Sequence, residues 1–198
     1  MLPSAAGFVD PLLSTGFPLT LLGISRLARI FECQWDRPGF DTALSDYGKM
    51  TLAELDATEL LIGALYASMG ESELFSALTL LYFAAAMFTE TARRLGRPEM
   101  AGGFLLQDHP RFGPATHSIC RQILRRRRCG DPNDPTTEHV IAEIDRVIEP
   151  FDVGGLADRR RRNWYPVNIN DLLNARTRLG VSEAQINAML RRSGMLVE

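Results

Sequence analysis

The 198-residue chain can bury one substantial core, and its 45% hydrophobic and 23% charged residues are ordinary for a globular protein. A formal net charge of −2 and a pI near 6.0 exclude a global electrostatic pull toward nucleic acid or anionic membrane. Arginine supplies all 22 basic residues except Lys49, which weakens any argument built on arginine clusters.

The first helix is expected to start near Phe17 or Pro18 and to end near Cys33–Gln34, since proline suits the first helical turn. Phe17, Leu21, Ile24, Ala28 and Phe31 recur at steps of four and three as an apolar stripe, with Arg26, Arg29 and Glu32 away from it. A long helical stretch follows from Phe40 to Met69. Thr51-Leu52-Ala53-Glu54 has capping-box spacing, so two helices meeting near Met50 are expected there, with Gly70 as the stop. The next helix runs from Ser72 to Leu95. Its residues Leu74, Leu78, Leu81, Ala85, Phe88, Ala92 and Leu95 give the strongest periodic signal and place it at the centre of a bundle. The apolar run Phe75 to Phe88 is shorter than the roughly 20 residues a membrane span needs.

Residues 97–110 read as a loop, followed by a helix from Arg111 to Arg127. After the turn-rich Gly130-Asp131-Pro132-Asn133 the pattern predicts a helix capped by Asp134, with Pro135 at its first position and Val140, Ile141, Ile144, Val147 and Ile148 inward. Two short helices close the chain. One runs from Asn170 to Gly180, and the other starts at a Ser182–Gln185 capping box and stops at Gly194. No segment alternates like a strand, so the expected fold class is an all-α helical bundle.

The segment Ala5-Ala6-Gly7-Phe8-Val9-Asp10-Pro11-Leu12-Leu13-Ser14-Thr15-Gly16, with a helix directly behind it, resembles one piece of a known superfamily. It is similar to the last flavin-contacting segment of FAD-dependent oxidoreductases of the aromatic-hydroxylase, geranylgeranyl-reductase and flavin-dependent tryptophan halogenase group. The likeness covers residues 3 to about 32. It implies FAD as cofactor and Ser4, Asp10, Pro11, Leu12, Leu13, Ser14, Thr15, Gly16 and Phe17 as its contacts, with Pro11 to Phe17 facing the pyrimidine edge of the ring. In the halogenase branch the Ser-Thr-Gly step also lies where halide binds, which singles out Thr15 and Gly16.

The residues carry a physical argument beside the likeness. A tight loop feeding a helix start offers unpaired N–H groups at the positive end of the helix dipole, and Gly16 has no Cβ to keep a flat ring away. There are two departures. The family's Gly-Asp pair falls on Pro3-Ser4, and no Gly-x-Gly-x-x-Gly or βαβ unit is present to hold an adenine dinucleotide; Lys49 matches no halogenase lysine motif.

The resemblance therefore implies that the rest of the flavin domain lies upstream of residue 1 and that this is the C-terminal portion of a flavoprotein, inactive in isolation. Residues 1–34 would be the remnant of the flavin domain, 35–150 a helical substrate-side region and 151–198 an irregular segment with a helical hairpin. Phe75, Tyr82, Phe83 and Phe104 would be the apolar lining for a small organic substrate, and a separate flavin-domain chain is the implied partner. A loose N-terminal segment is expected without that domain.

Other groups lead to weaker readings. Asp108 and His109 could pair as acid and base, although adjacent residues seldom point the same way. Arg125–Arg128 and Arg159–Arg162, the latter followed by Trp164 and Tyr165, could grip phosphate or a single strand; solvated helix ends paired with the 24 acidic residues are the default. The terminal helical pair has a helix-turn-helix outline with no marked recognition helix. Cys33, Cys120 and Cys129 are odd in number and lack zinc-ligand spacing, so no metal site is expected. Free thiols and the lack of a basic leader before the first apolar stretch point to a cytoplasmic protein. The alternatives to the flavoprotein are a stand-alone helical binding or scaffold protein and, further back, an arginine-rich nucleic-acid binder.

Overall fold

The computed structural model describes residues 1–129, 134–156, 158 and 168–195, and every regular element among them is helical. The helices are α1 (Pro3–Ala6), α2 (Gly16–Gln34), α3 (Phe40–Ser68), α4 (Ser72–Arg94), α5 (Pro98–Ala101), α6 (Phe112–Cys129), α7 (Thr137–Ile148), α8 (Ile169–Asn174), α9 (Arg176–Leu179) and α10 (Glu183–Arg192). Short 3₁₀ turns lie at Leu12–Ser14, Phe104–Leu106 and Glu149–Phe151. The second arginine run, Trp164, Tyr165 and the turn at 130–133 lie outside the described residues.

Helix α4 sits at the centre, packed against α3, α5, α7 and the Phe104–Leu106 turn. Its stripe of Leu74, Leu78, Leu81, Ala85, Phe88 and Ala92 is buried, as the periodicity requires. It is the one helix among the described residues long and apolar enough to cross a membrane, and 56% of its apolar window is buried inside the bundle. One hydrophobic core joins Leu19, Leu65, Leu78, Ile119, Ile144 and Leu179, and so draws on α2, α3, α4, α6, α7 and α9. A satellite of Ile186, Met189 and Leu190 seats α10 against Leu95, Ile169 and Leu172.

Helix α3 is continuous where a joint was expected near Met50. Thr51 does not cap: its hydroxyl donates to the Tyr47 carbonyl one turn back. Glu54, the expected capping partner, points inward instead. It is 1% exposed and accepts two hydrogen bonds from Arg26 of α2, at 2.7 and 2.8 Å, and one from the Phe104 amide. A long-range ion pair thus takes the carboxylate that a local cap would have used.

That pair also corrects the reading of α2. Leu19 and Gly23 are buried, and Arg26, one turn on, points to α3. A Cβ at Gly23 would come within 2.5 Å of the Pro3 ring, so glycine is what lets α1 lie across α2. With the 19–23–26 face inward, the stripe faces out: Phe17 is 77% exposed, Leu21 60%, and Ile24 and Phe31 over 40%. Trp35 continues it at 58%, stacking on Phe31 and Phe40 at 5.4 Å from each.

Smaller differences are local. Thr136, not Asp134, caps α7, its hydroxyl accepting from the His139 amide. The loop over 97–110 contains α5 and a 3₁₀ turn. The helix expected from Asn170 breaks at Ala175 into α8 and α9. The Ser182–Gln185 capping box forms as read, with both reciprocal bonds present.

Removing Glu54 leaves Arg26 without its carboxylate and the Phe104 amide without its acceptor. Breaking such a buried pair from one side typically costs about 3–5 kcal/mol. Urea denaturation of Glu54→Ala is expected to show a loss of that order, and the double variant Glu54→Ala/Arg26→Met a smaller one. Equal losses would mean that the pair does not couple α2 to α3.

Candidate functional site

The segment 4–17 is packed on the bundle, against the looseness expected of it without an upstream flavin domain. Pro3 and Thr15 are buried, and Ala6, Val9, Leu12 and Leu13 pack against the core. Two hydrogen-bond tethers hold it. Asp10 Oδ1 accepts from the Leu12 amide at 2.9 Å and from the Tyr66 hydroxyl at 2.6 Å. The Tyr82 hydroxyl donates to the Leu13 carbonyl at 3.1 Å. The Asp10–Leu12 bond makes an Asx-type turn, so Asp10 shapes the approach to α2.

Between the tethers the backbone does something unusual for its sequence. Leu13 and Ser14 both take left-handed conformations, at φ 59° and 54°. Each costs a non-glycine residue about 1–2 kcal/mol, so the tethers must hold them. Thr15 then enters the core with its hydroxyl buried and without a hydrogen-bond partner among the described residues. Gly16 opens α2 on a clear face, where an added Cβ would meet nothing within 4 Å. The first-turn amides of Gly16 and Phe17 have no intrahelical acceptor, and Pro18 brings none of its own.

The nine expected contact residues therefore fall into groups. Gly16 and Phe17 form an open shelf with Ser14 beside it. Thr15 lies beneath the shelf, and Leu12 and Leu13 are half-buried supports. Asp10 is committed to the turn, Pro11 is exposed next to it, and Ser4 is exposed on α1.

A second concave feature was not legible in the sequence. A cleft of about 810 Å³ opens between α3 and α6 and runs in to α4 and the Phe104–Leu106 turn. Tyr82 and Phe104, both expected as lining, do line it; Phe75 and Phe83 do not. Phe83 instead meets the Tyr82 ring edge-on at 5.3 Å. The cleft mouth carries Asp56 and Glu59 from α3, and His117 and Arg121 from α6. Tyr82 and Phe104 were thus legible as lining, but nothing marked the polar residues of the mouth: the i,i+4 spacing of His117 and Arg121 is too common to mark a site.

Three other candidates resolve as structural. Asp108 accepts from the Gly103 amide at 2.6 Å, and His109 Nδ1 accepts from the Arg111 and Phe112 amides at the start of α6. Acid and base are thus spent on separate turns, and burial together with the Arg111 charge holds the His109 imidazole below its usual range, favouring the neutral acceptor. Arg125 and Arg126 face Asp134 and Glu71, at 3.7 and 3.2 Å. Burial pushes the Cys120 thiol up to about 12, so it remains protonated and unreactive.

The Asp10 tether has a pH signature. Bonds from the Tyr66 hydroxyl and the Leu12 amide hold its carboxyl below the usual aspartate range. The stabilisation is present at neutral pH and disappears as pH falls through that depressed value. Amide exchange over residues 10–16, corrected for intrinsic rates, is expected to accelerate on such acidification and to lose this dependence in Asp10→Asn. A wild-type profile that stays flat would remove the tether from the account.

No protein-family model, curated protein or solved structure matches this chain.

Proposed function

We propose that this chain is the helical C-terminal portion of an FAD-dependent oxidoreductase, supplying backbone contacts to the flavin ring from Pro11 to Phe17 and a helical cover on the substrate side. The observation that carries the reading is the uncovered face of α2. Four large apolar side chains, Phe17, Leu21, Ile24 and Phe31, stand outward on α2 directly behind the shelf, and Trp35 just past its end extends the patch. Together they expose on the order of 500 Å² of apolar surface, taking ~150–250 Å² for a whole aromatic side chain. An apolar patch of that size lies at the upper end of what a monomer exposes and is often functional. An α/β flavin-binding body, on the same polypeptide or on a partner, is the cover the sequence resemblance calls for.

The shelf fits the ring on its own terms. Gly16 presents no side chain to a planar face, Phe17 offers an apolar edge, and the first-turn amides favour an electron-rich acceptor at the pyrimidine end. Bound flavin would supply the redox chemistry. The chain's own residues would orient the ring and, through the α2 face, exclude water from one side of it. Monooxygenation, reduction and halogenation of an organic substrate are all compatible with this arrangement.

The test is to read the gene and its neighbours for a βαβ unit with a Gly-x-Gly-x-x-Gly fingerprint, produce that unit with this chain, and measure flavin in the purified complex. Retained flavin is expected. Gly16→Val is expected to lower retention about tenfold while leaving helicity and melting unchanged, because the added carbons enter open space. Leu21→Asp should weaken association of the two parts. If no such unit exists, or if Gly16→Val retains flavin fully, the proposal fails.

A further inference from the structure

The α3–α6 cleft stands apart from the flavin shelf and carries its own chemistry. Its volume of about 810 Å³ lies within the ~300–1,000 Å³ of small-molecule sites. The floor is apolar: Leu61, Leu81, Phe104 and Phe112 line it and are all buried. A water-filled cleft with such a floor gains free energy from any apolar body that displaces the water.

Polar groups in the cleft are unevenly organised. On the α6 wall, Arg121 Nε donates to His117 Nε2 at 3.1 Å. The bond orients the guanidinium against the imidazole ring. The two terminal guanidinium nitrogens remain uncommitted, and no carboxylate lies within ion-pair distance of Arg121 among the described residues. One residue before His117, the Thr116 hydroxyl is buried and has no partner. The α3 wall offers Asp56 and Glu59, both exposed, with no orienting hydrogen bond among the described residues. They set two negative charges against the single positive charge of Arg121 at the mouth, so an anion is held there only by direct contact with the guanidinium.

We infer that this cleft binds an apolar organic carboxylate, its hydrocarbon or aryl body on the Leu61–Phe112 floor and its carboxylate held by the terminal guanidinium nitrogens of Arg121. Arg121 matches the two carboxylate oxygens by its forked geometry, which an ammonium would not. Tyr82 lines the same floor while its hydroxyl holds Leu13, so the bound acid lies directly behind the turn that leads to the shelf. The inference does not depend on flavin: it concerns side chains of this chain alone.

The experiment is isothermal titration calorimetry of the full chain, without flavin, against 4-phenylbutyrate and octanoate and against the matched amines 4-phenylbutylamine and octylamine. The carboxylates are expected to bind and the amines not. Arg121→Gln, on an exposed helical position, should weaken carboxylate binding about tenfold or more, and Arg121→Lys should restore only part of it. Ala57→Phe, which fills the cleft from α3, should abolish binding; unchanged helicity and melting separate this from unfolding. Preferential amine binding would place the anchor on Asp56 and Glu59 and overturn the inference. So would indifference to Arg121→Gln, or no binding of either series. None of these results bears on flavin retention by the co-produced complex, so the two readings fail separately.

Discussion

The buried carboxylate of Glu54 sets most of what is distinctive in this protein. It sits at the middle of α3 and binds three donors from two other elements: the Arg26 guanidinium through both terminal nitrogens, and the Phe104 amide. A carboxylate removed from water is tolerated only with such a full set of partners. Arg93 stands near the same group, half-buried, its charge disfavoured by that burial and by Arg26 and favoured by Glu90 and Glu54. Because Arg26 must reach inward, α2 can turn only one face to α3, and the apolar stripe is left outside. Because Phe104 must donate inward, the turn it begins is drawn across the end of the cleft. The shelf helix and the cleft floor are thus placed by one ion.

Two turns repeat the same backbone device. Leu13–Ser14 and Leu105–Leu106 each put two consecutive non-glycine residues in the left-handed region. Neither is stable alone. The first is held by Asp10 with Tyr66 below and by Tyr82 at the Leu13 carbonyl. The second follows the Phe104 amide bound to Glu54 and the Gly103 amide bound to Asp108, with both leucines buried. Gly102, at φ 34°, must be glycine as well, because a Cβ there would strike the Asp108 carboxylate. Strain held by several independent contacts is characteristic of positions whose backbone path matters to a bound group. Tyr82 touches both regions, since it lines the cleft and holds the first turn.

The arginine-rich composition has a different consequence. Arg26, Arg94, Arg97, Arg125, Arg126 and Arg178 each face a carboxylate within 4.0 Å. Most of these pairs are exposed and contribute little to stability singly. Within the first arginine run, Arg125 and Arg126 are paired in this way, with Asp134 and Glu71.

The sequence by itself determined the all-α class, the lengths of α2, α4 and α6 to within a residue or two, and the buried stripe of α4. It also marked the capping box of α10. These follow from local periodicity, proline and glycine placement, and caps, which depend on neighbours within one or two turns. The start of α2, expected at Phe17 or Pro18, falls one residue earlier at Gly16. Only the tertiary structure decided which face of α2 looks inward, that Glu54 joins Arg26 and not Thr51, and that Thr116, His117 and Arg121 line a cleft. An apolar stripe says that a face seeks cover, not whether this chain supplies it. Ion pairs twenty-eight residues apart, such as Arg26–Glu54, leave no periodic trace, because their partners meet only after the helices have packed.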